Sequence, residues 1–175
     1  PELEISRKGF PFKAAAKLAY DAQNLYLLYT VEDSSPWLNE GKDFTRLFKT
    51  GDAIDLQFGA ESSKRREPAE GDVRMLISQL NGKPAAVLMK PVDKTAPAGA
   101  AMKYQSPVGV KSFDRVEIIA TVQVNVRKTS GQYVVEAAIP LSVLGLTPGK
   151  GMKLRGDLGF ISSDEAGKIN VARTY

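Results

Sequence analysis

The stretch Thr30–Gly59, TVEDSSPWLNEGKDFTRLFKTGDAIDLQFG, decides how the rest of the chain is read. It begins as the end of an apolar strand, breaks at Asp33-Ser34-Ser35-Pro36 and carries the sole tryptophan, Trp37. It returns through Thr50-Gly51-Asp52 into a second strand, Ala53–Phe58, where Ile54, Leu56 and Phe58 alternate with Asp55 and Gln57. A long polar loop held between two core strands is where binding surfaces commonly sit, because the scaffold fixes the loop while water solvates its backbone.

Outward from this stretch, period-two patterning repeats. Phe12–Tyr20 and Leu25–Asp33 form an expected hairpin, with Leu25, Leu27, Tyr29 and Val31 on one face of the second strand. Arg74–Leu80 and Lys83–Met89 flank Asn81-Gly82, a pair that accepts positive φ at both positions and marks a tight hairpin. Val116–Arg127 reads as one long strand that turns at Ser130-Gly131 into Gln132–Ile139. Pro140 to Gly145 suits one helical turn, with Pro at its start and Gly at its end. Leu154–Ser162 and Lys168–Tyr175 make a last hairpin. Asp43–Phe48 has room for a helical turn, while Ala60–Asp72 and the Pro-, Ala- and Gly-rich Pro91–Gly109 read as loops. Eight or nine strands with only short helical turns predict an all-β fold: two antiparallel sheets packed as a sandwich of jelly-roll or immunoglobulin-like type.

The 175 residues suit one domain spanning 1–175, large enough to bury its own core. The start at Pro1 and the strand-like end at Tyr175 suggest a piece of something longer. No stretch approaches the run of about 18 apolar residues that a membrane helix needs, so membrane insertion is not expected. The chain has no cysteine and no histidine, which removes disulfides, thiolate and imidazole metal sites, His-dependent nucleophile systems and His-ligated haem. The net charge is +4, and the one basic run, Lys64-Arg65-Arg66, is followed by Glu67 and Glu70. It reads as a solvated loop, and no nucleic-acid partner is expected without a broader basic stripe bearing aromatics. Any chain with 20 acidic residues offers carboxylate pairs, but no pair stands out as a glycosidase couple, and no enzyme activity is expected.

Five segments together resemble the family 9 carbohydrate-binding module and its DOMON-like superfamily. They are Leu18–Tyr29, Val31–Pro36, Thr50–Leu56, Val135–Leu146 and Gly156–Phe160. The resemblance covers most of the chain and is more specific for fold than for ligand. It implies a non-catalytic β-sandwich that targets a larger exported, polysaccharide-active bacterial protein to glycan, with an extracytoplasmic location. A sugar-chain end and the other domains of the parent chain would be its partners, and calcium a structural cofactor. Two departures matter: sugar-gripping members use a pair of aromatic rings, and here there is one tryptophan; haem-bearing cousins use His and Met ligands, and here there is no His.

A sugar ring needs an aromatic platform and a few fixed hydrogen-bonding groups. Trp37 either supplies that platform or folds back over one end of the sandwich. Tyr104 is a candidate second platform, whereas Phe44 and Phe48, four residues apart, are expected beneath the loop. Asp55, Gln57, Glu136, Arg155 and Asp157 alternate with core residues on their strands. They form either one polar ligand-binding patch or an ordinary solvated face with weak ion pairs. Glu32, Asp33 and Asp52 flank the central loop and are candidate calcium ligands, the alternative being that Asp33 caps a turn. Three functional readings follow: a binding module marked by an exposed Trp37 beside an open patch; a spacer or interaction module marked by a buried Trp37 and a patch closed by ion pairs; or, behind these two, a DOMON-type redox relative holding a cofactor without His.

Overall fold

Alternation, turns and registers are tied together in a computed structural model that describes residues 2–35, 37–59, 67–107 and 109–175. The basic run Lys64-Arg65-Arg66 and most of the loop that begins at Ala60 lie outside the described residues. The first third contains β1 (Glu2–Ser6), β2 (Lys13–Tyr20) and β3 (Asn24–Glu32), then a 3-10 turn at Phe44–Arg46, α1 (Leu47–Thr50) and β4 (Ala53–Gly59). The middle holds β5 (Val73–Leu80), β6 (Lys83–Lys90), β7 (Met102–Ser106), β8 (Gly109–Phe113) and β9 (Arg115–Ile118). The last third holds β10 (Gln123–Thr129), β11 (Gln132–Pro140), α2 (Leu141–Leu144), β12 (Arg155–Ser163) and β13 (Asn170–Thr174).

These strands make an antiparallel sandwich. One sheet has the order β1-β2-β3-β11-β10, the other β13-β12-β4-β5-β6-β9, and β7-β8 is a separate hairpin. The expected sandwich is present, with more strands than expected. Val116–Arg127 is not one strand: β9 pairs with β6 in one sheet and β10 with β11 in the other. The chain crosses between sheets at 119–122, so unbroken alternation spans a change of partner. β7 and β8 arise in and after a segment read as loop.

Leu27, Tyr29, Val31, Val135, Ala137 and Ile139 from the first sheet meet Ile54, Leu56, Met75, Ile77, Leu88 and Phe160 from the second. That interface is the main core. The six-stranded sheet is also buried on part of its outer face. There Ala53, Leu76, Val87, Met89 and Ile161 pack under Leu47 and Phe48 of α1, with Phe44, Tyr104 and Phe113 closing the layer. Apolar runs such as Met75-Leu76-Ile77 and Val87-Leu88-Met89 are the pattern of strands covered on both sides.

The loop before β4 is therefore a cover stitched to the sheet. Buried Asn39 donates through Nδ2 to the Leu47 carbonyl and to Ser78 Oγ, both at 2.9 Å. Its Oδ1 accepts from Gly41 N and Thr50 Oγ1 at 3.0 and 2.7 Å. The predicted Asn81-Gly82 turn takes φ values of 52° and 76°, and Gly145 ends α2 in the left-handed region at 68°.

Candidate functional site: a charged cleft on the outer face of the six-stranded sheet

The expected site residues do not assemble as one patch. Trp37 is 2% exposed and its ring lies 5.3 Å from that of Tyr133, inside the core. It offers no face to a ligand, so the platform reading gives way to packing. Tyr104 is also structural: its hydroxyl donates to the Thr45 carbonyl at 2.8 Å, and its ring stands edge-on to Phe48 and Phe113. Glu136 sits on the outer face of the five-stranded sheet, where its carboxylate takes Arg127 Nη2 at 3.1 Å and Asn125 Nδ2 at 3.2 Å. It lines a groove of about 540 Å³ with Lys17, Tyr26 and Gln123, across the sandwich from the other candidates. The reason is topological: β11 and β4 belong to different sheets, and polar positions on both point outward.

Asp55, Gln57, Arg155 and Asp157 do share one region, because β12 pairs with β4. Gln57 is opposite Asp157 on β12 and opposite Arg74 on β5. Asp55, one pleat away on the same face, is 0% exposed. Arg74 Nε donates to Asp55 Oδ1 at 2.8 Å and Nη2 to Oδ2 at 2.6 Å. The Tyr175 hydroxyl donates to the same Oδ2 at 2.7 Å, and Gln57 Nε2 donates to the Tyr175 oxygen at 3.0 Å. Gly159 makes this seat possible. A Cβ there would strike the Tyr175 ring and the Thr174 carbonyl. Burial and the Asp55 carboxylate raise the Tyr175 phenol well above its usual range, so it remains a donor. Burial opposes the Arg74 charge, but the Asp55 contact outweighs it and raises the guanidinium further.

Above this network opens a cleft of about 1080 Å³, lined by Gln57, Arg74, Arg155, Asp157, Arg173 and Tyr175 among others, with Glu67, Asp72 and Lys111 at its sides. Arg74 and Arg173 both approach the Phe48 ring, their guanidinium carbons 5.0 and 5.7 Å from its centroid. Tyr175 is 45% exposed and presents its ring to the cleft, which Phe58 and Phe113 also line. Arg74, Arg173 and Tyr175 are absent from the sequence-derived site. Arg74 carries one visible signal, a cation directly before the apolar run Met75-Leu76-Ile77; Tyr175 carries none.

The calcium trio does not converge either. Glu32 is exposed and Asp33 buried, as alternation at the end of β3 dictates, and Asp52, just before β4, is buried as well. Asp33 Oδ1 takes Ser35 N at 2.9 Å, the turn-capping alternative, and its Oδ2 is buried without a partner. Both Asp52 oxygens take backbone N–H groups, from Leu38 at 2.6 Å and Ser163 at 2.7 Å. Among the described residues no three acidic side chains come together as a metal cage. These three do not fit as a calcium set, which needs six to eight oxygens.

Asp52 has a consequence for stability. Burial pushes its carboxyl up from 3.8 to about 6; the Leu38 N–H opposes this, the Asp33 charge adds to it, and the Ser163 N–H opposes again. Between those two values the folded chain holds a proton that the unfolded chain releases. In metal-free protein the Asp52 contribution is therefore most favourable below about pH 4 and fades as pH rises through 6, by about 3 kcal/mol in all. Urea unfolding at pH 4.5 and pH 7 measures this slope. Asp52→Asn should abolish it, while losing stability at both pH values because one backbone N–H is left without an acceptor.

A profile described as carbohydrate family 9 binding domain-like matches residues 4–168. The chain belongs to this family. No curated protein sequence matches it. Solved structures that share the fold include two of a family 9 carbohydrate-binding module from Caldicellulosiruptor kristjanssonii. The complex with cellotriose is 17% identical with a TM-score of 0.57, over 97% of this chain and 69% of that one. The complex with glucose is 16% identical with a TM-score of 0.53, over 94% and 66%. This family 9 domain thus spans about two thirds of those chains. None of its described helices is long and apolar enough to cross a membrane.

Proposed function

We propose that this family 9 domain binds a saccharide, without catalysis, in the cleft on the outer face of its six-stranded sheet. The observation that carries the reading is the Arg74–Asp55–Tyr175–Gln57 network, which fixes polar groups and one half-exposed ring at the floor of that cleft. A ring with hydrogen-bonding groups at its edge suits a sugar's C–H face and hydroxyl rim. The Asp55 oxygens are engaged by Arg74 and Tyr175, so this carboxylate serves as an anchor, not a proton carrier. The two solved structures bound cellotriose and glucose, which supports a saccharide here as well. On this reading the domain directs a larger, extracytoplasmic polysaccharide-active protein to glycan.

A second reading, a spacer or interaction module that keeps the fold without the ligand, is favoured by the buried Trp37 and by the closed Asp55–Arg74 pair. A glycan-array screen with and without calcium, followed by titration, separates the two. The expected result is a saturable glycan hit that weakens by about tenfold in Gln57→Ala and in Asp157→Ala, the loss of one good polar contact in each. Silence across the array selects the spacer. A hit unaffected by both substitutions moves the site out of the cleft.

A further inference from the structure

We propose that the cleft selects a saccharide bearing an anionic group, a uronic acid or a sulfated sugar, with Arg173 receiving the charge. The inference rests on the saccharide-binding reading and follows from how the charges at the cleft floor are matched. Arg74 and Asp55 neutralise one another through a bidentate contact, and the Tyr175 hydroxyl takes up one of the same carboxylate oxygens. Arg173, on β13 two residues before Tyr175, adds near the floor a second guanidinium that no carboxylate contacts among the described residues. Its Nη2 donates to the neutral Phe48 carbonyl at 3.1 Å, and its plane lies near the Phe48 ring. Its Nε is buried with no acceptor. Among the described residues it makes no ion pair.

A half-buried guanidinium with only neutral partners is an uncompensated charge, and such charges are costly unless something supplies the counter-ion. The planar fork of arginine matches a carboxylate or a sulfate, which return charge-assisted hydrogen bonds that a neutral hydroxyl cannot. At the rim the charges offset. Arg155 and Lys111 face the cleft with Asp157 and Glu67, all four exposed. Asp72, half-buried on the wall, accepts the Ala69 N–H at 2.8 Å. With Asp72 and the underlying Asp55 counted, the described cations and anions of the cleft balance, so discrimination by charge rests on the local position of Arg173, whose partners are neutral, while Gln57 and Tyr175 serve the hydroxyls.

Calorimetric titration of the intact chain with cellotriose, trigalacturonate and glucose 6-sulfate tests this. At low salt an anionic probe is expected to bind about tenfold more tightly than cellotriose, the scale of one charge-assisted pair, and the advantage should shrink as salt rises. Arg173→Gln should collapse the ratio of anionic to neutral affinity, and Arg173→Lys, which keeps the charge without the fork, should restore part of it. If Arg173→Gln fails to fold, the salt dependence of the native chain and the Arg173→Lys ratio decide. A preference for trigalacturonate over the sulfate, or the reverse, identifies the group and upholds the proposal. Cellotriose binding as tightly as either anion overturns the proposal while leaving saccharide binding intact. No binding of any probe overturns both.

Discussion

Asp55→Ala should destabilise the fold by about 3–5 kcal/mol, the usual cost of removing one partner from a buried ion pair. The Arg74 side chain is 11% exposed and that of Asp55 is 0% exposed, so truncation strands a guanidinium that water reaches poorly. Tyr175 loses its acceptor at the same time. The loss is much larger than a surface ion pair could produce. The exposed Arg127–Glu136 pair on the other sheet, at 3.1 Å, is the internal control, and Glu136→Ala should cost less than about 1 kcal/mol. Urea unfolding measures both. A sharper form of the test replaces the pair together. Asp55→Leu with Arg74→Met removes both charges and should recover most of the stability, because buried ion pairs often do little better than apolar residues of similar volume. On the proposed function the double variant should nevertheless fail to bind saccharide, since the groups that hold Tyr175 and face the cleft are gone. Stability recovered without binding would show that the pair is kept for recognition. Stability lost as deeply in the double as in the single variant would refute the account of the stranded charge.

The strands were legible because their physics is local. Alternation at Leu25–Val31 and Ile54–Phe58, the Asn81-Gly82 turn and the Pro140-to-Gly145 corner each specify themselves over a few residues, and all stand in the structure. The break between β9 and β10 was not legible, since alternation runs on through the crossing and reports nothing about which strand is the neighbour. The same limit governed the site. Alternation places Asp55 and Glu136 on polar faces, but only strand order shows that those faces look in opposite directions. Arg74 and Tyr175 join Asp55 across sequence separations of 19 and 120 residues, contacts that no local pattern encodes. The covered outer face, by contrast, was signalled. The contiguous apolar runs Met75-Leu76-Ile77 in β5 and Val87-Leu88-Met89 in β6 leave no polar side to face water there, which calls for a cover, and the loop before β4 supplies it.

Trp37→Ala should cost about 3–5 kcal/mol through cavity formation, without altering the ligand preference of molecules that remain folded. A lone tryptophan in a polar loop invites the opposite expectation, that its removal abolishes binding directly. Its surroundings argue otherwise. The ring packs against Tyr133 in the main core, and the backbone holds a left-handed φ of 53°, an uncommon conformation for a bulky residue. Asp52 takes the N–H of Leu38, the next residue, and Lys128 Nζ donates to the Trp37 carbonyl at 3.2 Å. The peptide joining Trp37 to Leu38 is thereby held at both its carbonyl and its N–H while the indole fills the space below. Trp37→Phe keeps part of that volume and should lose clearly less stability. Binding assays of Trp37→Ala therefore have to be normalised to the folded fraction, read from near-ultraviolet circular dichroism. Affinity per folded molecule should match the parent, whereas Gln57→Ala should lower affinity with the fold intact. A Trp37→Ala protein that is fully folded yet blind to glycan would return the indole to the binding surface and move the site away from the cleft of Asp55, Arg74 and Tyr175.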